Sequence, residues 1–135
     1  MRAFIVDLEH QPGSLAELAR AIGERGINIT AISGLGWEDD GAVALITNDD
    51  DGTRALLEER DAEYRETGLV AAGLEDRPGA LGDAAGRLAE RGVNIEAILA
   101  TGMQGGRVTI AFAVDDPVGA REALGSLAEA GASAV

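Results

Sequence analysis

The sequence predicts an α+β protein built from two copies of one βαββαβ unit, each with an antiparallel sheet that carries both helices on one face. The first observation behind this is an internal repeat: LEHQPGSL at 8–15 resembles LEDRPGAL at 74–81, and ERGINI at 24–29 resembles ERGVNI at 90–95. Both pairs share one offset of 66 residues, which indicates a repeated structural unit. The second is hydrophobic spacing, which follows the same order of strands and helices in each half.

The first half, about residues 1–68, begins with a strand, because residues 3–8 are rich in β-branched and aromatic side chains. A helix follows, since apolar residues recur at the i, i+3, i+4, i+7 spacing of one helical face: Leu15, Leu18, Ala19 and Ile22. The remaining predicted elements are strands at 27–32 and 42–47 joined in a hairpin, a second helix at 53–63 and a short strand at 64–67.

The second half, about residues 69–135, repeats this order: a strand at 69–74, a helix at 78–91, strands at 93–101 and 107–114, a helix at 117–130 and a final strand at 132–135.

Glycines lie near the end of each predicted hairpin: Gly34, Gly36, Gly102, Gly105 and Gly106. We interpret them as turn residues and not as a phosphate-binding loop, because the chain has no lysine and lacks the spacing of a dinucleotide fingerprint.

The composition excludes several classes of protein. No cysteine is present, so neither a disulfide nor a thiolate metal site can form. The net charge of −13, with 24 acidic and 11 basic residues, repels a phosphate backbone, and no nucleic-acid partner is expected. No segment approaches the roughly 20 apolar residues of a membrane span or resembles a signal peptide. We therefore expect a cytoplasmic protein with no membrane partner.

The pattern Glu-x-x-Pro-Gly-x-Leu, a helix and then Gly-Ile/Val-Asn-Ile occurs twice and resembles the ACT domain. This family comprises ferredoxin-like regulatory modules that bind amino acids and are attached to many enzymes of amino-acid metabolism. The resemblance covers both halves and implies a stand-alone tandem ACT-domain protein. It also implies that a small ligand, a free amino acid, lies between two ACT units, held by the loop before the first helix of one and the second strand of the other.

The loops before the two first helices suit a carboxylate. If Pro12 and Pro78 are the first helical residues, a position that proline tolerates, the caps are Gln11 and Arg77, and neither is a good N-cap. The next backbone N–H groups then point out of a positive helix end without a side-chain acceptor: those of Gly13, Ser14 and Leu15, and those of Gly79, Ala80 and Leu81.

A capping box is an alternative for the first loop. Ser14 and Glu17 have the Ser-x-x-Glu spacing in which the two side chains satisfy the backbone donors internally. The second half has Ala80 and Asp83 at these places. The Pro-Gly motif is therefore repeated, but the capping-box residues are not. On this argument the second loop is the better anion site, while the first loop keeps both alternatives.

The resemblance assigns a ligand contact to the residue two before each proline. Related domains carry Asn or Asp there, so Asp76 fits the pattern and is suited to an ammonium group. His10 departs from it, and as a ligand contact it would make binding sensitive to pH near neutrality. The alternative for both residues is an exposed loop position without a ligand.

Two asparagines occupy the start of the second strand of each unit. The resemblance assigns Asn28 and Asn94, with Ile29 and Ile95 after them, to contact with the ligand across the interface. The alternative is that each asparagine turns the chain after the preceding glycine, with its side chain bonded locally. Because a structural role would recur as readily as a binding role, the repeat does not decide between them.

Other conspicuous residues have ordinary explanations. Trp37 is interpreted as a packing or interface residue. The acidic runs 38–40 and 48–51 lack the spacing of a Ca²⁺ loop and are interpreted as solvated turns, so no metal site is predicted. Because the chain has no cysteine, a single histidine and no paired metal motif, neither catalysis nor a cofactor is expected.

These inferences predict a non-catalytic regulatory protein that binds a small ligand, a free amino acid, at the interface between ACT units. The alternative is a ligand-free assembly or docking subunit of an enzyme of amino-acid metabolism. In either case a partner enzyme is expected, and exposed sheet edges favour a homodimer.

Overall fold

The computed structural model describes residues 1–129, so the predicted strand at 132–135 lies outside the described residues. The chain divides into two compact units, Met1–Glu66 and Thr67–Val135. Unit 1 has the predicted order of strands and helices, and unit 2 has it as far as residue 129. The predicted fold class is therefore confirmed.

Unit 1 contains, in order, β1 (Arg2–Glu9), α1 (Ser14–Glu24), β2 (Ile29–Trp37), β3 (Asp40–Thr47), α2 (Asp50–Glu59) and the start of β4 (Tyr64–Glu75). The strand order is β2-β3-β1, and β3 pairs antiparallel with both neighbours. Next to β1, the Asp7 N–H donates to the carbonyl oxygen of Glu63 at 2.9 Å. The first half thus forms an antiparallel sheet with a hairpin at its outer edge.

The core of unit 1 lies between this sheet and its two helices. Residues at alternate positions of β1 and β3 face the helices, because successive strand side chains point to opposite faces. Leu18 and Ile22 of α1 and Leu56 and Leu57 of α2 complete the core. They join buried residues of the strands: Phe4, Val6, Val43 and Leu45.

Unit 2 contains the rest of β4, α3 (Ala80–Glu90), β5 (Ile95–Gln104), β6 (Arg107–Val114), α4 (Pro117–Leu124) and a 3₁₀ turn (Gly125–Leu127). Its strand order is β4-β6-β5, again antiparallel. Val70 and Phe112 of the sheet pack against Leu88 of α3 and Leu124 of α4. The second half therefore repeats the packing of the first.

Two predicted strands, at 64–67 and 69–74, are in fact the single strand β4. Gly68 does not interrupt it, because this residue stays in register with Val114 of β6. A Cβ atom at Gly68 would lie 2.3 Å from Cγ of Pro117. The glycine is therefore a site of close packing, and not a break.

The predicted ends of α2 and α4 also need correction. Helix α2 spans Asp50–Glu59 and not 53–63, because Asp49 caps it three residues earlier: its Oδ1 accepts the N–H of Gly52 at 2.9 Å. The predicted helix at 117–130 ends at Leu124, where Gly125 adopts a positive φ of 56°. Asp49 thus initiates a helix, and the run 48–51 is not a solvated turn.

The two hairpins differ in where their glycines lie. The β2–β3 turn is formed by Glu38 and Asp39, whereas Gly34 and Gly36 are inside β2, so their prediction as turn residues is wrong. In the second hairpin, Gly105 and Gly106 form the turn as predicted, with φ values of 58° and 76°. Gly102 lies inside β5. Cross-strand pairing keeps these other glycines extended.

Among residues 1–129, no helix combines the length and the apolar character required to cross a bilayer. The longest, α1 and α3, have 11 residues each.

One ion pair in unit 1 predicts how stability depends on pH. Glu66 accepts bonds of 2.8 and 2.6 Å from Nε and Nη2 of Arg54, and these bonds hold the pKa of the Glu66 carboxyl below its usual range. A lowered folded-state pKa stabilises the fold above the pKa of the unfolded chain, and this stabilisation is lost as pH falls through the folded value.

Glu66→Gln should therefore lower the free energy of unfolding at pH 7 by roughly 1 kcal/mol, and the difference from the parent should close towards pH 3. Urea titrations across this pH range measure both quantities. Glu24→Gln is the control, because Glu24 is exposed and no ion pair links it to another described residue. A difference that persists undiminished at pH 3 would contradict the assignment.

Candidate functional site

The four helices begin in two different ways. Asp49 caps α2, and Asp116 caps α4 by accepting the N–H of Gly119 at 3.0 Å. Helices α1 and α3 begin instead after glycines, Gly13 with φ 94° and Gly79 with φ 88°, and neither has a side-chain cap. Among α1 to α4, the two helices without a side-chain cap are thus those that follow the repeated Pro-Gly motif.

The glycine caps correct the predicted start of both helices. Pro12 and Pro78 are not the first helical residues, and Gln11 and Arg77 are not the caps. A residue at φ near +90° cannot be helical, and glycine is the residue that adopts this conformation without a steric penalty. Each helix therefore starts directly after its glycine, at Ser14 and Ala80.

The capping box, which was one of the two alternatives for the first loop, is absent. Ser14 is the first helical residue and not the cap, so its hydroxyl is not in the position that caps the first turn. The carboxylate of Glu17 bonds instead to Nη2 of Arg60 at 3.1 Å. Since neither helix has a box, the argument that made the second loop the better anion site no longer separates the two loops.

Backbone donors are consequently available at the start of each helix. The N–H of Ser14 donates to Gln11 at 3.4 Å, and that of Ala80 donates to Arg77 at 3.3 Å. The next donors of each first turn have no acceptor within residues 1–129: those of Leu15 and Ala16, and those of Leu81 and Gly82. Such N–H groups at the positive end of a helix attract an anion.

In unit 1 this helix end borders a cavity of about 200 Å³. Four predicted site residues line it, His10, Gln11, Ser14 and Leu15. The other walls come from the end of β1 and from the β2–β3 hairpin: Leu8, Glu9, Gly34, Leu35, Gly36, Gly41, Ala42 and Val43. The hairpin glycines were missed as site residues, because their role depends on the cross-strand register.

His10 and Asp76 occupy equivalent places but make different contacts. The ring of His10 lies over Gly36, where a Cβ atom would be 2.3 Å from Cε1 of the imidazole. The main-chain N–H of Asp76 donates to Gly106 at 2.8 Å, while the carboxylate has no bonding partner within residues 1–129. His10 therefore packs on the hairpin, and the Asp76 carboxylate is available to a ligand.

Arg77 makes the second loop more polar than the first. Its guanidinium bonds to Glu75 at 3.0 Å and to Asp83 at 3.2 Å, and the bond to Asp83, followed by that to Glu75, raises its pKa. Another nitrogen of the group, Nη1, donates to the carbonyl of Pro78 at 3.2 Å. The loop before α3 thus carries a cation that two carboxylates already contact.

The asparagines are not bonded as the local alternative requires. The backbone N–H of Asn28 donates to Oδ1 of Asn48, and that of Asn94 donates to Oδ1 of Asp115, both at 2.9 Å. Both asparagines are exposed, and neither of their own side chains has a bonding partner among the described residues. Ile29, next to Asn28, packs partly buried against the core, as Ile95 does in unit 2.

A single unit does not bring its asparagine to its own loop. Ile29 pairs with Thr47 at one end of the hairpin, whereas the loop follows Glu9, which pairs with Asp40 at the other end. Strand β2 alone spans about 26 Å at 3.3 Å per residue. A ligand in contact with both regions therefore needs an asparagine from a second unit.

Two further expectations concern Trp37 and metal binding. The side chain of Trp37 is 72% exposed and belongs to neither apolar core of residues 1–129. Within the same residues, no group of three His, Asp or Glu side chains is arranged to hold a metal ion.

Comparison with known proteins agrees with this architecture. The family model described as the ACT domain matches residues 3–63 and again residues 69–132. The chain belongs to the ACT domain family. The predicted tandem arrangement is thereby confirmed. No curated protein sequence matches the chain.

Solved structures resemble this tandem ACT chain along most of its length. Protein BT0572 from Bacteroides thetaiotaomicron has a TM-score of 0.73 at 23% identity, covering 91% of this chain and 85% of that chain. The ligand-free regulatory subunit of aspartate kinase from Thermus thermophilus has a TM-score of 0.66 at 19% identity, covering 93% and 90%. The corresponding subunit from Thermus flavus has a TM-score of 0.60 at 20% identity, covering 91% and 88%. At these identities the likeness establishes the fold.

The two kinds of helix start should respond differently to truncation. Asp49→Ala removes a cap bond and should lower the free energy of unfolding by about 1 kcal/mol. Ser14→Ala removes no cap bond and should change it by less than about 0.5 kcal/mol. Urea denaturation of both variants measures the difference. A loss for Ser14→Ala as large as that for Asp49→Ala would show that the serine caps α1 after all.

Proposed function

We propose that this ACT protein is a non-catalytic regulatory protein that binds a free amino acid at the glycine-capped helix starts. The observation that carries the proposal is the pair of free N–H groups at Leu15 and Ala16, at a helix start whose residues Ser14 and Leu15 line a cavity. These donors suit the carboxylate that every free amino acid carries. Because no side chain caps the helix, the ligand displaces no internal acceptor.

The ammonium group of the ligand needs an acceptor close to those donors. Glu9 lines the unit 1 cavity, and in unit 2 the unpartnered carboxylate of Asp76 follows β4 at the equivalent loop. A carboxylate near a helix N-terminus gives a site that recognises both charges of an amino acid. This pairing of charges favours an amino acid over a simple anion.

The other predicted contacts are Asn28 and Asn94, and we propose that they reach the ligand from a second copy of the chain. Each is exposed, has an unpartnered side chain and lies far from the loop of its own unit. A homodimer in which a strand end of one chain meets the loop of the other would complete the site. Ligand binding would then favour one arrangement of the chains over another, as regulation requires.

A docking subunit without a ligand is the second candidate. Leu35 and Trp37 of β2 are more than 70% exposed, and the strand has no charged residue in a chain of net charge −13. Exposed apolar side chains on an edge strand favour contact with another protein. The regulatory subunits of aspartate kinase among the similar structures make an enzyme of amino-acid metabolism a reasonable partner.

A thermal-shift screen against the twenty amino acids at millimolar concentration tests the proposal. A ligand that binds only the native state raises the melting temperature, because binding adds RT ln(1 + [L]/Kd) to the stability. We expect a selective rise with a small subset of amino acids. No rise with any of the twenty would contradict amino-acid binding and favour the docking subunit.

Charge variants then locate the site. Ala16→Asp and Gly82→Asp each place a carboxylate among the free donors of one helix, where it should leave the free protein as stable as before but repel the carboxylate of the ligand. The variant at the occupied helix should reduce the ligand-induced shift at least by half. Gly86→Asp adds the same charge in the exposed middle of α3 and should leave the shift unchanged. An equal loss in all three variants would mean that the site lies elsewhere.

A further inference from the structure

The two hairpins are equivalent in backbone but not in side chains. In β5 the register shifts by one residue between Ala100 and Gly102. Beyond this bulge, the 66-residue offset between equivalent positions of the two units no longer holds and is one residue larger. Equivalent positions are therefore found from cross-strand pairing: Gly34 pairs with Val43, and Ala100 pairs with Ile110. By this criterion the unit 1 glycines Gly34, Gly36 and Gly41 correspond to Ala100, Met103 and Val108 in unit 2.

Three glycines contribute bare backbone to the wall of the unit 1 cavity. All three line it, and Val43 contributes an adjacent apolar wall. A Cβ atom at Gly34 would contact Cγ1 of Val43 at 3.4 Å, and one at Gly36 would overlap the ring of His10. The bare backbone at Gly34 thus leaves room beside Val43, whereas the equivalent residue of unit 2, Ala100, carries a methyl group.

The chemistry of the cavity changes from one end to the other. The first turn of α1 supplies backbone donors beside Ser14 and His10, while Leu15, Leu35 and Val43 supply apolar surface. Apart from His10, the only titratable lining residue is an acid, Glu9, which suits the ammonium group. No further charged group lines the cavity to pair with an ionised ligand side chain, and an unpaired charge there is unfavourable.

We infer that unit 1 is the ligand-binding unit and that its ligand is an aliphatic amino acid such as valine, leucine or isoleucine. This inference depends on the proposed function. The apolar side chains of Leu15, Leu35 and Val43 line the cavity, and a branched aliphatic side chain that packs against them is removed from water. Gly34 determines the specificity, because its missing side chain leaves space for that of the ligand beside Val43.

Isothermal titration calorimetry of the full chain tests the inference. The titrants are alanine, valine, leucine, isoleucine, phenylalanine, lysine and aspartate. The parent should bind the three branched aliphatic amino acids at least tenfold more tightly than lysine or aspartate. Gly34→Val fills part of the cavity and should weaken leucine binding about tenfold or more, while alanine binding changes less than threefold.

Ala100→Val in unit 2 is the matched control and should leave leucine binding unchanged. Should Gly34→Val fail to fold by circular dichroism, Gly34→Ala replaces it, since its methyl group makes only an ordinary contact with Val43. Gly34→Ala should also weaken leucine binding more than alanine binding, but by a smaller factor than Gly34→Val.

Three outcomes would overturn the inference. Preference for a charged or aromatic amino acid would overturn the ligand class while leaving amino-acid binding intact. Loss of leucine binding in Ala100→Val but not in Gly34→Val would move the site to unit 2. Absence of binding by any titrant to the parent would overturn the proposed function together with the inference.

Discussion

The left-handed glycine before α1 and α3 is the constraint on which the other features of the candidate site depend. With φ near +90° at Gly13 and Gly79, the chain turns sharply from strand to helix, and each helix starts one residue later. A glycine cap has no side chain, so the first backbone donors stay available. The same turn directs the loop to the end of the hairpin, where His10 packs on Gly36.

Helices α2 and α4 begin differently from α1 and α3, and each bonds to the other helix of its own unit. Each has an aspartate cap. The arginine directly after the preceding helix, α1 or α3, bonds to a glutamate of α2 or α4. Arg25 bonds to Glu59 in unit 1, and Arg91 bonds to Glu122 in unit 2. Because these contacts and the two apolar cores stabilise the fold elsewhere, the loops before α1 and α3 can keep unsatisfied donors without loss of the structure.

The repeat is thus retained in the backbone and altered in the side chains. Both units have the same glycine caps and the same hairpin with a two-residue turn. They differ around the loop, where unit 1 has Gln11 and an open glycine-lined wall while unit 2 has Arg77 contacted by two carboxylates. The two loops therefore share one backbone fold but differ in their chemistry.

From the sequence alone, the repeat, the tandem ACT fold and the strand at 107–114 could be predicted, because Pro-Gly motifs and hydrophobic spacing are local signals. Only the tertiary structure decided that β4 is continuous through Gly68, that Gly34 and Gly36 line a cavity, and that Asn28 lies far from the loop of its own unit. These features depend on strand register and on close approach between segments distant in sequence. Periodicity within a segment carries no information about either.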